Sequence, residues 1–348
     1  MRKGDTVRRR IGPTNWRKLA LPVLALSFLL AGCSNSSLPQ DALDPQGPFA
    51  QKSHDLAMPV FAIAGVVFVL VEGLIVYSVL KFRRRADDES PVQVHGNVRA
   101  ELGWTIAPAV VLVGVGIFTV GTIVDLDRVP KGAEVVKVNV TGHQWWWEYE
   151  YPDEHVVTAN ELHIPTGTDI AITLRSKDVI HSFWPPKLAG KIDVIPNREN
   201  HMVINADNAG IYYGHCAEFC GISHANMRLR VVAHEPAEFD SWVKANAAPP
   251  AEPSEDDEEA VAGQALFRSK GCASCHAVAG FAAGAVGPDL THLQQRKVFA
   301  GAVFDLNEKN LRRWLRNPPE EKPGSIMPNL NLTEEEITSL IAYLDTLK

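Results

Sequence analysis

The chain has 348 residues, of which 34 are basic and 41 acidic, and hydrophobic residues make up 46% of it. That length predicts more than one domain, because a single hydrophobic core stops growing at about 250–300 residues. The acidic balance argues against nucleic-acid binding, which needs a basic surface, and suits a cationic partner.

Residues 1–32 have the pattern of a lipoprotein-type signal peptide. A basic start is followed by a short apolar stretch from Leu19 to Leu30, then by Ala-Gly and Cys33. Export signals have this order of basic region, apolar region and small residues before the cleavage site. Cys33 resembles the lipidated cysteine of bacterial lipoproteins, so we expect a lipid anchor there. An uncleaved anchor helix with an incidental cysteine is the alternative.

Removal of this segment would make the chain more acidic. Residues 1–32 hold seven basic residues and one acidic residue, so the remaining chain has 27 basic and 40 acidic residues and a net charge of −13. Much of that charge lies in one linker, and solubility alone is a sufficient explanation for it.

Two further apolar segments predict a transmembrane hairpin within residues 33–130. Met58–Leu80 is long enough to span a bilayer and is followed at once by basic residues that include Lys81. Trp104–Val124 is the second such segment and is followed by two aspartates. The positive-inside rule places the connection in the cytoplasm and both ends of the hairpin outside. Glu72 is costly to bury in lipid, which predicts a functional position or contact with a partner subunit.

Residues 131–244 predict a β-domain, because apolar and polar residues alternate over several short runs. Val136, Val138 and Val140 alternate with polar residues, and the same pattern recurs at 170–174 and 227–231. Such runs, separated by Pro, Gly and Asn, are typical of a β-sandwich or β-barrel.

An acidic, proline-rich segment at residues 245–260 predicts an extended linker, because proline and like charges oppose compaction. Residues 261–348 are predicted to be helical. Leu311, Trp314 and Leu315 share one helical face, and Thr333 with Glu336 predicts a capping box at the start of the last helix.

A twelve-residue segment contains four metal-binding side chains, those of Cys216, Cys220, His224 and Met227. Thiolates, imidazole and thioether are ligands that copper prefers. His181, at the end of a predicted strand, is the best candidate for a second histidine. These residues indicate a dicopper site in which both thiolates bridge the two ions. A zinc site or a disulfide between the two cysteines is the alternative, but neither gives the methionine a role.

Three consecutive tryptophans occur at residues 145–147. Since side chains alternate along a strand, we expect at least one ring at the surface or in an interface. A packed barrel that merely leaves one ring on its surface is the alternative.

The run Cys272-Ala-Ser-Cys275-His276 has the C-x-x-C-H pattern that attaches a c-type haem covalently. The two thiols add to the haem vinyl groups, and the histidine binds the iron. Met327 is the only methionine after this motif and is the expected second axial ligand, which raises the potential of the iron. A redox-active dithiol is the alternative, which the following histidine and the absence of a βαβ pattern oppose.

Together these motifs make residues 50–240 resemble cytochrome c oxidase subunit 2, and residues 261–348 resemble a class I cytochrome c. The fusion resembles subunit 2 of bacterial caa3-type haem–copper oxidases. The resemblance implies a multidomain membrane protein with a two-helix transmembrane hairpin, a cupredoxin-like β-barrel and an all-α cytochrome c domain. It also implies a mixed-valence dicopper (CuA) centre whose ligands are His181, Cys216, Cys220, His224 and Met227.

The resemblance implies roles for three further residues. Electrons enter the copper domain through Trp145. The backbone carbonyl of Glu218 is a weak copper ligand, and its side chain reaches a magnesium ion shared with the catalytic subunit. Glu101, before the second membrane helix, resembles the acid at the mouth of a proton-uptake path; a solvated interfacial acid is the alternative.

The implied function is that of an oxidoreductase and translocase subunit in the bacterial cell membrane, with its copper and haem domains on the outer side. Electrons pass from an external donor, a cytochrome c or a cytochrome bc complex, through haem c and dicopper to catalytic subunit 1. That subunit, with the other oxidase subunits, reduces oxygen to water with proton translocation.

Two other functions are possible on the residues alone. A dicopper module that feeds nitrous oxide reduction would need neither the hairpin nor Glu101, and a copper-storage lipoprotein would need no haem. The quinol-oxidase relative is disfavoured because it lacks the copper ligands.

Overall fold

The computed structural model describes residues 38–83, 93, 95–128 and 135–348. The expected signal peptide and the expected lipid site at Cys33 lie outside these residues. Gln40–Lys348 forms one compact unit.

Two long helices form the hairpin predicted for the membrane. Helix α1 (Pro48–Lys81) begins at a proline, and helix α2 (Val98–Leu126) begins where the Asn97 side chain accepts a hydrogen bond from the Ala100 N–H at 3.2 Å. Both are long and apolar enough to cross a membrane. Their apolar side chains are exposed along most of their length, as expected of surfaces that contact lipid or partner subunits. Glu72 is also exposed and therefore lies on that outward surface.

The β-domain that follows contains ten strands within residues 135–234: β1 (Val136–His143), β2 (Trp146–Tyr151), β3 (Val156–Ala159), β4 (Glu161–Pro165), β5 (Ile170–Ser176), β6 (His181–Trp184), β7 (Ile192–Val194), β8 (Asn200–Ile204), β9 (Gly210–Cys216) and β10 (Arg228–His234). They form two five-stranded sheets with the orders β3-β2-β1-β5-β8 and β4-β10-β9-β6-β7. Apolar residues at alternate positions, such as Val138, Ile172 and Val231, are fully buried in the core. This cupredoxin-like fold confirms the period-two prediction.

Helices extend into both ends of the segment predicted as a linker. Helix α3 (Pro236–Ala247) buries Phe239 and Trp242 against the β-domain, and helix α4 begins at Glu258. The irregular connection is therefore shorter than expected and covers residues 248–257.

The C-terminal domain is mainly helical, as predicted. Its helices are α4 (Glu258–Ser269), α5 (Glu308–Arg316), α6 (Pro318–Glu321) and α7 (Glu334–Thr346), with two short β-ribbons between α4 and α5. Thr333 and Glu336 form the predicted capping box at the start of α7. Helices α4 and α7 cross at Gly263, where an added Cβ would lie 1.9 Å from the Ser339 carbonyl oxygen, so only glycine permits this close crossing.

Candidate copper and haem centres

The candidate copper ligands lie at one end of the second sheet. His181 begins β6 and Cys216 ends β9, and these two strands are antiparallel neighbours. A tight loop then turns through Cys220 and a short 3₁₀ helix (His224–Asn226) to Met227, which immediately precedes β10. Because β9 also pairs with β10, the ends of three adjacent strands bring all five side chains to one place.

The sulfur and nitrogen atoms of this cluster are close together. The Cys220 Sγ lies 3.7 Å from the Cys216 Sγ, 3.6 Å from the His224 Nδ1 and 3.8 Å from the Met227 Sδ. The His181 Nδ1 lies 3.9 Å from the Cys216 Sγ. A disulfide needs sulfurs about 2.05 Å apart, so these cysteines are unpaired thiols. Two thiols, two imidazoles and a thioether are a donor set suited to copper rather than zinc.

Burial and hydrogen bonding make the two thiols unequal. The Cys220 thiol and the His181 ring lower the pKa of Cys216 to about 3, although burial opposes that shift. The neighbouring Cys216 thiolate and burial raise the pKa of Cys220. The site therefore accepts one negative charge readily and a second only when a cation is present, which couples full deprotonation to metal binding.

Asp178 orients the first histidine. Its Oδ1 accepts a hydrogen bond from the His181 Nε2 at 2.7 Å, and the other oxygen accepts the Gln144 N–H at 2.6 Å. Burial disfavours protonation of His181, but hydrogen bonds to Asp178 and Cys216 raise its pKa overall. Such outer partners hold a ligand ring in place. Sequence reasoning missed Asp178, whose one signal was its position three residues before His181.

Trp145 contacts the copper loop directly. Its indole Nε1 donates a hydrogen bond to the Cys220 carbonyl oxygen at 3.0 Å. All three consecutive tryptophans are buried, so none of the rings lies at the surface and the alternative of a barrel with one surface ring is wrong. Trp145 precedes β2 and lies in an interface with the cytochrome domain, which was the other expected location.

Of the remaining predicted residues, Glu218 lies in the copper loop and Glu101 lies apart from it in the membrane hairpin. Glu218 has an exposed side chain, and its carbonyl oxygen is 3.2 Å from the Cys216 Sγ. Glu101 lies in the first turn of α2, where its Oε1 accepts the Asn97 N–H at 3.1 Å, and belongs to neither centre.

A cavity of about 380 Å³ in the cytochrome domain is lined by all four predicted haem-binding residues: Cys272, Cys275, His276 and Met327. The His276 Nδ1 donates to the Pro288 carbonyl oxygen at 2.8 Å, which leaves Nε2 free to bind a metal. Burial lowers the pKa of His276 and so favours the neutral, ligating form. The residues present therefore suit a covalently held haem.

Gly287 and Trp314 each contact one of the predicted axial ligands of the haem. An added Cβ at Gly287 would lie 2.5 Å from the His276 Cε1, so the Gly287–Pro288 turn packs directly against this histidine. The Trp314 Nε1 donates to the Met327 Sδ at 3.2 Å. Sequence reasoning placed Trp314 on a helical face but missed this contact.

The cavity also has a wall from the copper domain. Residues of both domains line it, among them Trp145, Asn160, Arg296 and Lys322. Arg296 is buried, and its Nε donates to the Thr158 Oγ1 of the copper domain at 3.2 Å. The two centres therefore share a boundary, at which Trp145 contacts one site and lines the other.

The fold and the two centres define a membrane-anchored subunit with a cupredoxin-like domain and a cytochrome c domain. Comparison with known families gives the same division. Residues 38–121 match the transmembrane domain of cytochrome c oxidase subunit II, residues 155–234 its periplasmic domain, and residues 260–348 cytochrome c.

Relatives align with nearly the whole chain. Cytochrome c oxidase subunit 2 of Alkalihalophilus pseudofirmus is 39% identical over 334 residues, which cover 94% of this chain and 96% of that protein. The Bacillus subtilis protein of that name is 34% identical and covers 96% of this chain and 98% of its own length. Quinol oxidase subunit 2 of Bacillus spizizenii is 34% identical, but the match covers 65% of this chain and 71% of that protein.

The chain belongs to the cytochrome c oxidase subunit 2 family, with a cytochrome c domain fused at its C-terminal end as in caa3-type oxidases. It is a transmembrane subunit of an oxidoreductase complex, and electrons enter a terminal oxidase through it. Nitrous oxide reduction and copper storage are thus not its function.

Proposed function

We propose that this subunit passes electrons from an external donor through a covalent haem c and a dicopper centre to the catalytic subunit, which reduces oxygen to water and translocates protons. The observation that carries this order is the position of Trp145, which is hydrogen-bonded to the Cys220 carbonyl and lines the haem cavity. Its ring therefore contacts both centres, as the neighbouring Gln144 side chain also does.

Each centre is built by named residues of this chain. Cys272 and Cys275 would hold haem covalently, with His276 and Met327 as axial ligands. His181, Cys216, Cys220, His224 and Met227 would hold the copper pair, with the Glu218 carbonyl as a weak ligand. When bound, the two groups supply one-electron redox chemistry. The protein excludes water from the three sulfur ligands, since Cys216, Cys220 and Met227 are at most 3% exposed.

Other parts of the chain would serve the assembled complex. The exposed Glu218 side chain would bind magnesium shared with the catalytic subunit, and Glu101 would admit protons at the cytoplasmic end of α2. Lipid at Cys33 would add a second membrane anchor. We place the functional boundaries at the signal peptide 1–32, the hairpin 33–130, the copper domain 131–244, the linker 245–260 and the cytochrome domain 261–348.

The test uses the complete oxidase purified in mild detergent. We expect two copper ions per chain, one haem c that resists extraction, and oxygen consumption. A light pulse that injects one electron into haem c should be followed by reduction of copper, and Trp145→Phe should slow that step. Trp242→Phe, a buried control in α3, should not. If the external donor reduced copper before haem c in the unaltered complex, the proposed order would be wrong.

A further inference from the structure

The linker sequence predicted that only a flexible tether holds the cytochrome domain. In the structure this domain is docked on the copper domain. Hydrogen bonds cross between the domains at several points, including Arg228 N to the Gly301 carbonyl at 3.0 Å and Lys297 N to Glu161 Oε2 at 2.8 Å. Arg230 also forms an ion pair with Asp305 at 3.2 Å. Trp145 lies in the same interface, where it contacts the copper loop and lines the haem cavity.

Lys322 is the unusual member of this interface, because its ammonium group is buried. It is 4% exposed, and its Nζ donates to the Trp145 carbonyl oxygen at 2.5 Å and to the Ala300 carbonyl oxygen at 2.9 Å. Within the described residues no carboxylate forms an ion pair with it. Burial lowers the pKa of Lys322 to about 7. A buried amine is costly unless it is hydrogen-bonded, and in either protonation state it donates to these two carbonyl groups, which hold its position.

Two glycines bring the backbone of the cytochrome domain against the same tryptophan. An added Cβ at Gly301 would lie 2.5 Å from the Lys322 Nζ and 2.7 Å from the Trp145 carbonyl oxygen. An added Cβ at Gly324 would lie 2.9 Å from the Trp145 ring. Both have positive φ, +77° and +87°, which glycine adopts readily. The contact is therefore closely fitted to Trp145.

We propose that Lys322 is a positioning residue that fixes the cytochrome domain on Trp145, with Gly301 and Gly324 allowing the close approach. This inference rests on the proposed electron relay. It adds the residue that fixes the position of the cytochrome domain relative to the copper domain. The ten-residue connection 248–257 cannot do this alone. As a flexible coil it would span about 17 Å on average and would leave the orientation of the haem free.

The first experiment measures docking without using catalytic activity. Hydroxyl-radical footprinting of the complete oxidase, analysed by mass spectrometry, reports how far water reaches Trp145. In Lys322→Met we expect modification of Trp145 to rise about tenfold, because a charged hydrogen bond is worth about that factor in an equilibrium. Lys309→Met, which removes an exposed lysine from α5, should leave Trp145 protected. Lys322→Arg, which keeps a charged donor, should restore part of the protection.

A second pair of variants keeps the proposal testable if Lys322→Met loses haem. Gly301→Ala should expose Trp145 because the new Cβ would collide with the Lys322 contact. Gly280→Ala has a similar backbone strain (φ +73°) but no atom within 4 Å of the new Cβ, so Trp145 should stay protected. The proposal would be overturned if Trp145 were modified equally in Lys322→Met and Lys309→Met, or equally in Gly301→Ala and Gly280→Ala.

The second experiment separates this inference from the relay on which it rests. After a light pulse reduces haem c, copper should be reduced about tenfold more slowly in Lys322→Met than in the unaltered oxidase, with copper content unchanged. If the unaltered oxidase shows no transfer from haem c to copper, the proposed relay is wrong. If it shows fast transfer and Lys322→Met is equally fast, the relay stands and the positioning role of Lys322 is wrong.

Discussion

The copper and haem regions solve the same problem, holding a redox group, in opposite ways. In the copper region, strands and a tight loop place the donor atoms within 3.6–3.9 Å of their neighbours. In the haem region, the donor side chains surround a cavity of about 380 Å³. The polypeptide thus preorganises the copper donors, whereas the haem must span the distance between its own ligands.

This difference predicts unequal tolerance to the loss of one ligand. In the copper region each donor contacts the next, so we expect that no other side chain can replace a lost cysteine. A haem attached through two cysteines and a histidine would still be held by those three bonds when its methionine is removed. The following variants test that contrast.

Cys216→Ser should have the largest effect. Loss of a bridging thiolate should remove the copper pair and stop oxygen consumption, while haem c stays fully reducible by an external donor. Metal analysis, the absorption spectrum of haem c and an oxygen electrode measure the three quantities. Retention of two copper ions with a normal spectrum would show that Cys216 is not a bridging ligand.

Asp178→Asn should weaken copper binding by about 10–100-fold, since partners that orient a ligand histidine typically contribute that much. The amide has no charge and only one acceptor oxygen, so it cannot accept both the His181 Nε2 and the Gln144 N–H hydrogen bonds as the carboxylate does. Competition with a copper chelator measures the affinity, and Asp193→Asn, at an exposed position on β7, is the control. Equal affinity in both variants would mean that the strands alone orient His181.

Met327→Ala should leave haem attached and copper intact but slow turnover with the external donor. Loss of the axial thioether lowers the potential of the iron, which makes haem c a poorer acceptor. Redox titration of haem c and the steady-state oxygen rate test this. If the purified variant lost its haem, the remaining bonds would not be enough to hold the group. The haem region would then tolerate the loss of a ligand no better than the copper region.

Trp314→Phe should have the smallest effect. Removal of the N–H that donates to the Met327 Sδ leaves more electron density on the sulfur and should lower the iron potential by about 20–60 mV. That range corresponds to a net hydrogen bond of about 0.5–1.5 kcal/mol for a one-electron couple. A rise in potential during redox titration would contradict the proposed role of this bond.

Local motifs made the ligands predictable, and contacts between distant segments made the rest unpredictable. Cys216 to Met227 lie within one loop, and Cys272 to His276 within one turn, so spacing alone indicated their chemistry. Lys322 contacts Trp145, 177 residues away in the sequence, and that contact exists only because two domains pack together. Nothing in the residues around Lys322 signals a partner at that distance.

The three tryptophans show how a strand boundary changes a prediction. The alternation rule assumes that all three lie on one strand, but β2 begins at Trp146. Trp145 therefore does not follow the alternation and turns toward Cys220. The two rings on β2 do alternate: Trp147 packs in the core of the β-domain, and Trp146 lines the haem cavity. The position of a strand's first residue depends on pairing with β1 and could not be obtained from composition.

Fusion of the two domains through residues 248–257 fixes their stoichiometry at one cytochrome per copper domain, whatever the protein concentration. A diffusing carrier must find its oxidase by long-range attraction between charged surfaces, which salt screens over about 8–10 Å. In the fused chain the proposed electron transfer from haem to copper needs no such diffusional encounter. Sensitivity to dilution and ionic strength is therefore confined to the earlier encounter, where a separate donor meets the cytochrome domain.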